Sequence, residues 1–200
     1  MQNKPIYKLG KRLGPGVHPK CQTQKFALAE ARHKKAFKHR KNLSDFNLQL
    51  LAKQRVRFSY GITEKQLVKY VKDAMKNTDR ENALFRNLEF RLDNVVFMIG
   101  LAPSRRAARQ MVVHGHIILN GRRNNIPSTI LKKGDKVAVR EQSRQKPLFS
   151  DRAKAIEKAT QPAWLVYNPK KMEAEIKGIP DYDPATNEFD LKAVFEFYSR

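Results

Sequence analysis

The side chains best suited to chemistry in this chain are arginines, and they are concentrated between Arg91 and Arg140. Arg105, Arg106 and Arg109 stand close together with Gln110, and Arg122 and Arg123 follow. A guanidinium keeps its proton at any ordinary pH, so it is neither a base nor an acid. Its planar fork of N–H donors instead holds two oxygens of one phosphate or carboxylate. The chemistry on offer is adhesion to an oxyanion. Arg91, His114, His116, Asn120, Lys132 and Lys133 add donors to the same stretch and are counted with it.

Other constellations are weaker. Asp93 lies between Arg91 and an apolar run, and an acid beside an arginine is usually a paired, structural carboxylate. No second carboxylate, nucleophile or base accompanies it. His114 and His116 flank Gly115 without a partner acid for proton transfer. His18, Cys21, His33 and His39 approach zinc-ligand spacing. Only one of the four is a thiol, and neighbouring lysines would repel a cation, so no metal and no cofactor is expected. The glycines of LGKRLGPG lack the spacing of a phosphate-binding loop. The chain reads as a binding protein and not an enzyme.

Specific elements must position these arginines. Ser104 stands at an N-cap and Gly115 just past a helix end. At about 100° per residue, Ala107, Ala108, Met111 and Val112 fall on one arc, facing a core. Arg105, Arg106, Arg109 and Gln110 fall on the opposite arc, roughly 140° wide. From His116 to Leu119 the pattern turns strand-like. Asn120-Gly121 then predicts a two-residue hairpin turn, which needs φ > 0 twice, and Arg122 and Arg123 open the return strand. Lys133-Gly134-Asp135 marks a second turn, and Val137 and Val139 share one face of a further strand. Basic groups thus come from a helix, a hairpin and a strand, which favours a phosphate-binding surface over a merely solvated face.

The order RLDNVV, SRRAARQMV, HGHIILNGR, KKGDKVAV resembles the RNA-binding module named after the fourth protein of the small ribosomal subunit, here the S-four module. SDFNLQLLAKQRVRFSYGITEKQ at 44–66 and FEFYSR at 195–200 resemble that ribosomal protein family itself, so the likeness runs from about Ser44 to Arg200. It implies an α+β fold: a small helical domain, completed by the C-terminal helix, into which an S-four module of two helices on a small antiparallel sheet is inserted. It further implies direct binding to small-subunit ribosomal RNA, an early role in assembling the subunit body and an influence on decoding accuracy. Contacts with the fifth small-subunit protein and with messenger RNA near its entry path are implied likewise.

Composition agrees with a polyanionic partner. Forty-one Lys and Arg against 19 Asp and Glu give a formal net charge of +22, a surplus that repels itself in a compact free protein. No apolar run approaches the roughly 18 residues that span a bilayer, so no membrane is expected; with no catalytic constellation, no small-molecule substrate is expected either. No apolar core follows the N-terminal charges, so no secretory leader is expected. A single cysteine, Cys21, fits a reducing cytoplasm, and the expected place is the small ribosomal subunit.

The chain divides into an extended basic arm at 1–43, a helical domain at 44–88 plus 181–200, and an S-four domain at 89–180. The stretch to about Lys20 is so rich in glycine and proline that no regular element is expected. Lys34, Lys35, Lys38, Arg40 and Lys41 are expected to lie on RNA, as are Lys53, Arg55 and Arg57 on the helix that Ser44 opens. Thr63 and Gln66 form a capping-box pattern. Tyr60, Phe58 and Trp164 read as core. A helix is expected over 150–160, then strands around 164–167 and 172–176. Leu191, Val194, Phe195 and Tyr198 form a helical stripe that needs cover. A modifying enzyme or a ribosome-associated stress protein could also use an S-four module. The first needs a catalytic domain for which the remaining residues are too few, and the second does not explain the likeness at both ends.

Overall fold

The alternation of Lys136 to Val139 produces the middle strand of a five-stranded antiparallel sheet. Its strands are β1 (Ile117–Leu119), β2 (Arg122–Arg123), β3 (Lys136–Val139), β4 (Leu165–Asn168) and β5 (Glu173–Ile176), in the order β2-β1-β3-β5-β4. Val137 and Val139 are buried, as their shared face requires. This computed structural model describes residues 5–34, 44–150, 161–169 and 171–199. Two compact units emerge: Met1–Leu84 with Tyr182–Arg200, and Phe85–Asp181. The architecture is α+β.

In the second unit, two short helices cover the sheet, α6 (Leu92–Met98) and α7 (Arg105–Val113). Leu92, Val95, Val96 and Ile99 share one buried cluster with Ala108, Met111 and Val112, and with Ile117, Val137, Val139, Leu165, Ala174 and Ile176 of the sheet. Each of the larger side chains, valine, leucine, isoleucine or methionine, contributes about 1.5–3 kcal/mol on leaving water, so the cluster gives α7 a fixed seat. Asn120 (φ 49°) and Gly121 (φ 79°) make the expected hairpin turn, with Leu119 opposite Arg122. Trp164 is half-buried and packs edge-on against Phe90, ring centres 5.8 Å apart. Short helices α8 (Glu141–Arg144) and α9 (Pro147–Ser150) follow β3. The helix expected over 150–160 falls almost wholly outside the described residues.

The first unit is helical. It contains α1 (Ile6–Leu13), α2 (Gln24–Lys34), α3 (Asp45–Ser59), α4 (Glu64–Ala74), the start of α5 (Arg80–Glu89) and α10 (Leu191–Tyr198). The apolar stripe of α10 is covered: Leu191, Val194 and Phe195 are buried, and Phe197 lies 5.7 Å from Phe46 of α3. Gln49 of α3 donates to Glu196 at 3.0 Å, and the Tyr198 hydroxyl donates to Glu64 at 2.6 Å. The Thr63–Gln66 capping box closes in both directions. Ser44 stands at the N-cap of α3, but its hydroxyl accepts from the Asn47 side chain at 3.0 Å instead of capping the backbone.

The stretch before Lys20 corrects the sequence expectation. It forms α1 and a 3-10 turn (Pro15–Val17), runs into a second at Pro19–Gln22, and buries Leu13 and Val17, with Cys21 buried just beyond it. Its glycines act as helix ends and contact points. Gly14, at φ 99°, ends α1, and Gly10 faces the Cys21 sulfur so closely that no side chain would fit.

Candidate nucleic-acid interface

Helix α7 displays its arginines as the 100° rotation requires. The Ser104 hydroxyl accepts from the Ala107 N–H at 3.3 Å and fixes the first turn. At the other end Gly115, at φ 71°, donates to the Val112 carbonyl at 2.8 Å, and His116 donates to that of Met111 at 3.1 Å. That double closure is the standard glycine stop of a helix. Ala108, Met111 and Val112 are buried and Ala107 half-buried, while Arg106 and Gln110 are exposed and Arg105 and Arg109 half-exposed.

Beneath the helix lies a polar layer. Arg91 is wholly buried and donates to both oxygens of Asp93, at 2.9 and 2.6 Å. Arg109 reaches the same carboxylate only at 4.0 Å, with its side chain 39% exposed. One carboxylate thus faces two arginines, so the trio retains one positive charge, and the exposed partner is Arg109. Arg105 donates from Nε to the Asn94 carboxamide oxygen at 2.7 Å, and its guanidinium lies over the Phe97 ring at 4.7 Å. A neutral acceptor cancels no charge, so that bond orients Arg105 without neutralising it.

A second group gathers where α7 meets β1. The Arg123 guanidinium packs against Gly115 so tightly that a Cβ there would collide with it. The rings of His114 and His116 are 6.3 Å apart. His116 lies edge-on to Phe149, and its Nδ1 is 3.0 Å from the Ser143 hydroxyl. Burial holds the His116 pKa below the ordinary imidazole value, and the charges of Lys146, His114, Arg123 and Arg140 push it the same way. Several cations facing one ring mark a place that favours an anion.

The sign of this shift gives an expected result. A folded-state pKa below the unfolded one means that acid protonates the unfolded chain first, so the free protein loses stability as pH falls through about 6.5. A phosphate against the same ring favours the imidazolium, so RNA affinity rises over the same window. Thermal unfolding and RNA titration at pH 7.5 and 5.5 should therefore move in opposite directions. His116→Gln should flatten both trends. RNA affinity indifferent to pH, or unaffected by the substitution, would remove His116 from the interface.

The remaining candidates are spread differently. Asn120 is engaged with the second turn and the start of β3: its amide donates to Asp135 at 2.8 Å, and its oxygen accepts from the Lys136 N–H at 2.8 Å. Lys132 and Lys133 are exposed beside that turn. This end of β1 is about 10 Å from His116, at three residues of strand rise. Arg122 and Arg123 are both exposed on β2.

Two expected contacts are corrected. Arg91 has no surface at all, and its fork is filled by Asp93, so it braces the fold. Lys53 is buried, with its Nζ 2.8 Å from Glu64 and 4.4 Å from the Phe197 ring centre, so it ties α3 to α4 and α10. Arg57 pairs with Glu64 at 3.5 Å and lies over Phe58 at 4.6 Å. Arg55 is exposed, yet it donates to the Leu13 carbonyl at 2.6 Å and to that of Glu188 at 3.3 Å. The side chain of Lys34 and all of Lys35, Lys38, Arg40 and Lys41 lie outside the described residues, as do the His33 side chain and His39 of the candidate zinc set. Of that set, His18 accepts from the Lys20 N–H at 3.1 Å, and burial pushes the Cys21 thiol up. Among the described residues no three His, Cys, Asp or Glu side chains gather as metal ligands, and no helix is long and apolar enough to cross a membrane.

Asn94 and Phe97, which hold Arg105, and Gly115, which seats Arg123, were not among the expected site residues. The sequence carried one signal for Asn94, a second polar residue inside the apolar run LDNVVF.

Comparison with known proteins converges on one family. Residues 90–137 match the model of the S4 domain, and residues 2–89 match that of the ribosomal protein S4/S9 N-terminal domain. The small ribosomal subunit protein uS4 of Roseiflexus castenholzii is 38% identical over 204 residues, covering 98% of this chain and 97% of its own. That of Pelotomaculum thermopropionicum is 40% identical over 184 residues, covering 91% and 86%. That of Geobacillus kaustophilus is 37% identical over 198 residues, covering 98% and 97%.

Proposed function

From the premise that this chain belongs to the family of the small ribosomal subunit protein uS4, we propose that it is a structural constituent of the small subunit that grips ribosomal RNA through phosphates and shape. The observation that carries this reading is α7, packed on a closed core by one face and turning Arg105, Arg106, Arg109 and Gln110 outward from the other. A-form RNA hides its base edges in a deep major groove, so a protein grips backbone and 2′-hydroxyls, mostly near loops and bulges. Pre-positioned guanidinium forks suit that task, because less side-chain freedom is lost for each phosphate bond formed.

No reaction is proposed. The product is a held RNA conformation, and released counterions supply much of the free energy. On the family likeness, the proposal extends to nucleating assembly of the subunit body, contributing to translational accuracy, touching the fifth small-subunit protein and lying near the messenger's entry path. The cytoplasm is the proposed place of work.

The experiment is sedimentation with small ribosomal subunits, combined with chemical probing of their RNA. The chain should co-sediment and protect discrete RNA positions, and removing the basic surface should abolish that protection. Protein that stays at the top of the gradient and protects nothing refutes the proposal.

A further inference from the structure

Helix α6 carries two adjacent polar side chains in an otherwise apolar sequence, and both are buried: Asp93 at 2% exposure and Asn94 at 1%. Burying a polar group costs free energy unless its hydrogen bonds are replaced. For Asp93 the replacement is the Arg91 fork, an internal pair that serves the fold.

Asn94 is held differently. Its amide nitrogen donates to the Glu89 carbonyl at 3.0 Å and to the Glu89 carboxylate at 3.1 Å. Those bonds fix the orientation of the carboxamide and leave its oxygen aimed at α7. There it accepts from Arg105 Nε at 2.7 Å. Phe97, one turn along α6 on the same side, supplies the ring beneath the Arg105 guanidinium at 4.7 Å. The arginine is therefore gripped at Nε and supported on one face.

We infer that Asn94 is a positioning residue for RNA binding, acting through Arg105. The inference rests on the RNA-binding reading above. Asn94 touches no RNA itself. It sets the side-chain orientation in which Arg105 meets a phosphate, and it removes rotamer freedom that an unheld arginine would surrender on binding.

The test is a double-mutant cycle on the full chain, with small-subunit RNA as the probe, run below the unfolding midpoints of all variants. Asn94→Ala should weaken binding roughly tenfold, about the rotamer freedom released. In an Arg105→Ala background the same substitution should change affinity by less than about twofold, because a residue acting only through Arg105 has nothing left to position. A purely structural role predicts equal losses in both backgrounds, and that outcome overturns the inference. Arg105→Lys supplies an arm that leaves the Asn94–Glu89 bonds in place. It keeps the charge but lacks Nε, so it should lose affinity with an unchanged salt slope. Wild-type affinity for Arg105→Lys would show that a bare charge suffices and would also overturn the inference. If Arg105→Ala itself leaves binding unchanged, the interface is wrong. If Arg105→Ala weakens binding and Asn94→Ala does not, only the positioning role fails.

Discussion

Raising salt from about 50 to 200 mM is expected to weaken RNA binding by this protein by three to five decades, provided roughly 6–10 phosphates are neutralised. The number of contacts is bounded by the surface. Between Arg105 and Lys146, seven basic side chains are exposed: Arg106, Arg122, Arg123, Lys132, Lys133, Lys136 and Lys146. Half-exposed Arg105, Arg109, Arg140 and Arg144 raise the count to eleven, before any basic residue of the first unit is added. The Lys136–Glu173 pair is 4.0 Å long, and Arg109 shares Asp93 with a nearer arginine. Each phosphate contact releases condensed counterions, so the logarithm of affinity should fall linearly with that of salt. Titration of the RNA at four or five salt concentrations reads the slope directly. A flat dependence would mean that recognition does not run through phosphates.

The legibility of this surface in the sequence differs from element to element, for physical reasons. Helix α7 was readable because its face follows from a fixed rotation per residue, and because Ser104 and Gly115 mark its ends by side-chain and backbone chemistry. The hairpin was readable because Asn120-Gly121 meets a positive-φ requirement that few residue pairs satisfy. Burial of charge was not. Lys53 sits in a helix whose pattern shows no reason to hide an ammonium, and the group that receives it, Glu64, comes from the next helix.

Arg91 is more instructive. Its neighbour Asp93 was read as a paired, structural carboxylate, yet Arg91 was counted as an RNA contact, and one guanidinium fork cannot fill both roles. Residues two apart do not face each other on a helix, but Arg91 precedes α6 in extended conformation (φ −65°, ψ 135°), and its side chain curls back to the first turn. The N-terminal segment misled for the opposite reason. Its glycines and prolines suggested an absence of structure, whereas they close α1 and permit tight contacts such as that of Gly10 with Cys21. Glycine density reports permitted backbone angles and close approaches, and both occur in packed regions as readily as in loose ones.

The second large effect concerns the three arginines of α7. Replacing Arg105, Arg106 and Arg109 together removes three guanidinium groups, each worth about 1.5 kcal/mol or more when hydrogen-bonded to a charged partner. Summed without cooperativity, that is about a thousandfold in affinity, with the salt slope reduced by about three. The fold should respond only modestly, because truncating half-exposed Arg105 opens the Asn94 oxygen to water in place of its lost bond. The buried face of α7 is formed by Ala108, Met111 and Val112, alanine is the better helix former, and Arg91 continues to satisfy Asp93. A net stability change near 1 kcal/mol corresponds to about 2–4 °C in Tm for a chain of this size. The decisive measurement is therefore RNA affinity of this triple alanine variant, read beside its thermal unfolding. We expect binding to fall about a thousandfold while Tm stays within about 4 °C. Undiminished RNA affinity in a folded variant, or an equal collapse of fold and binding, would contradict the account.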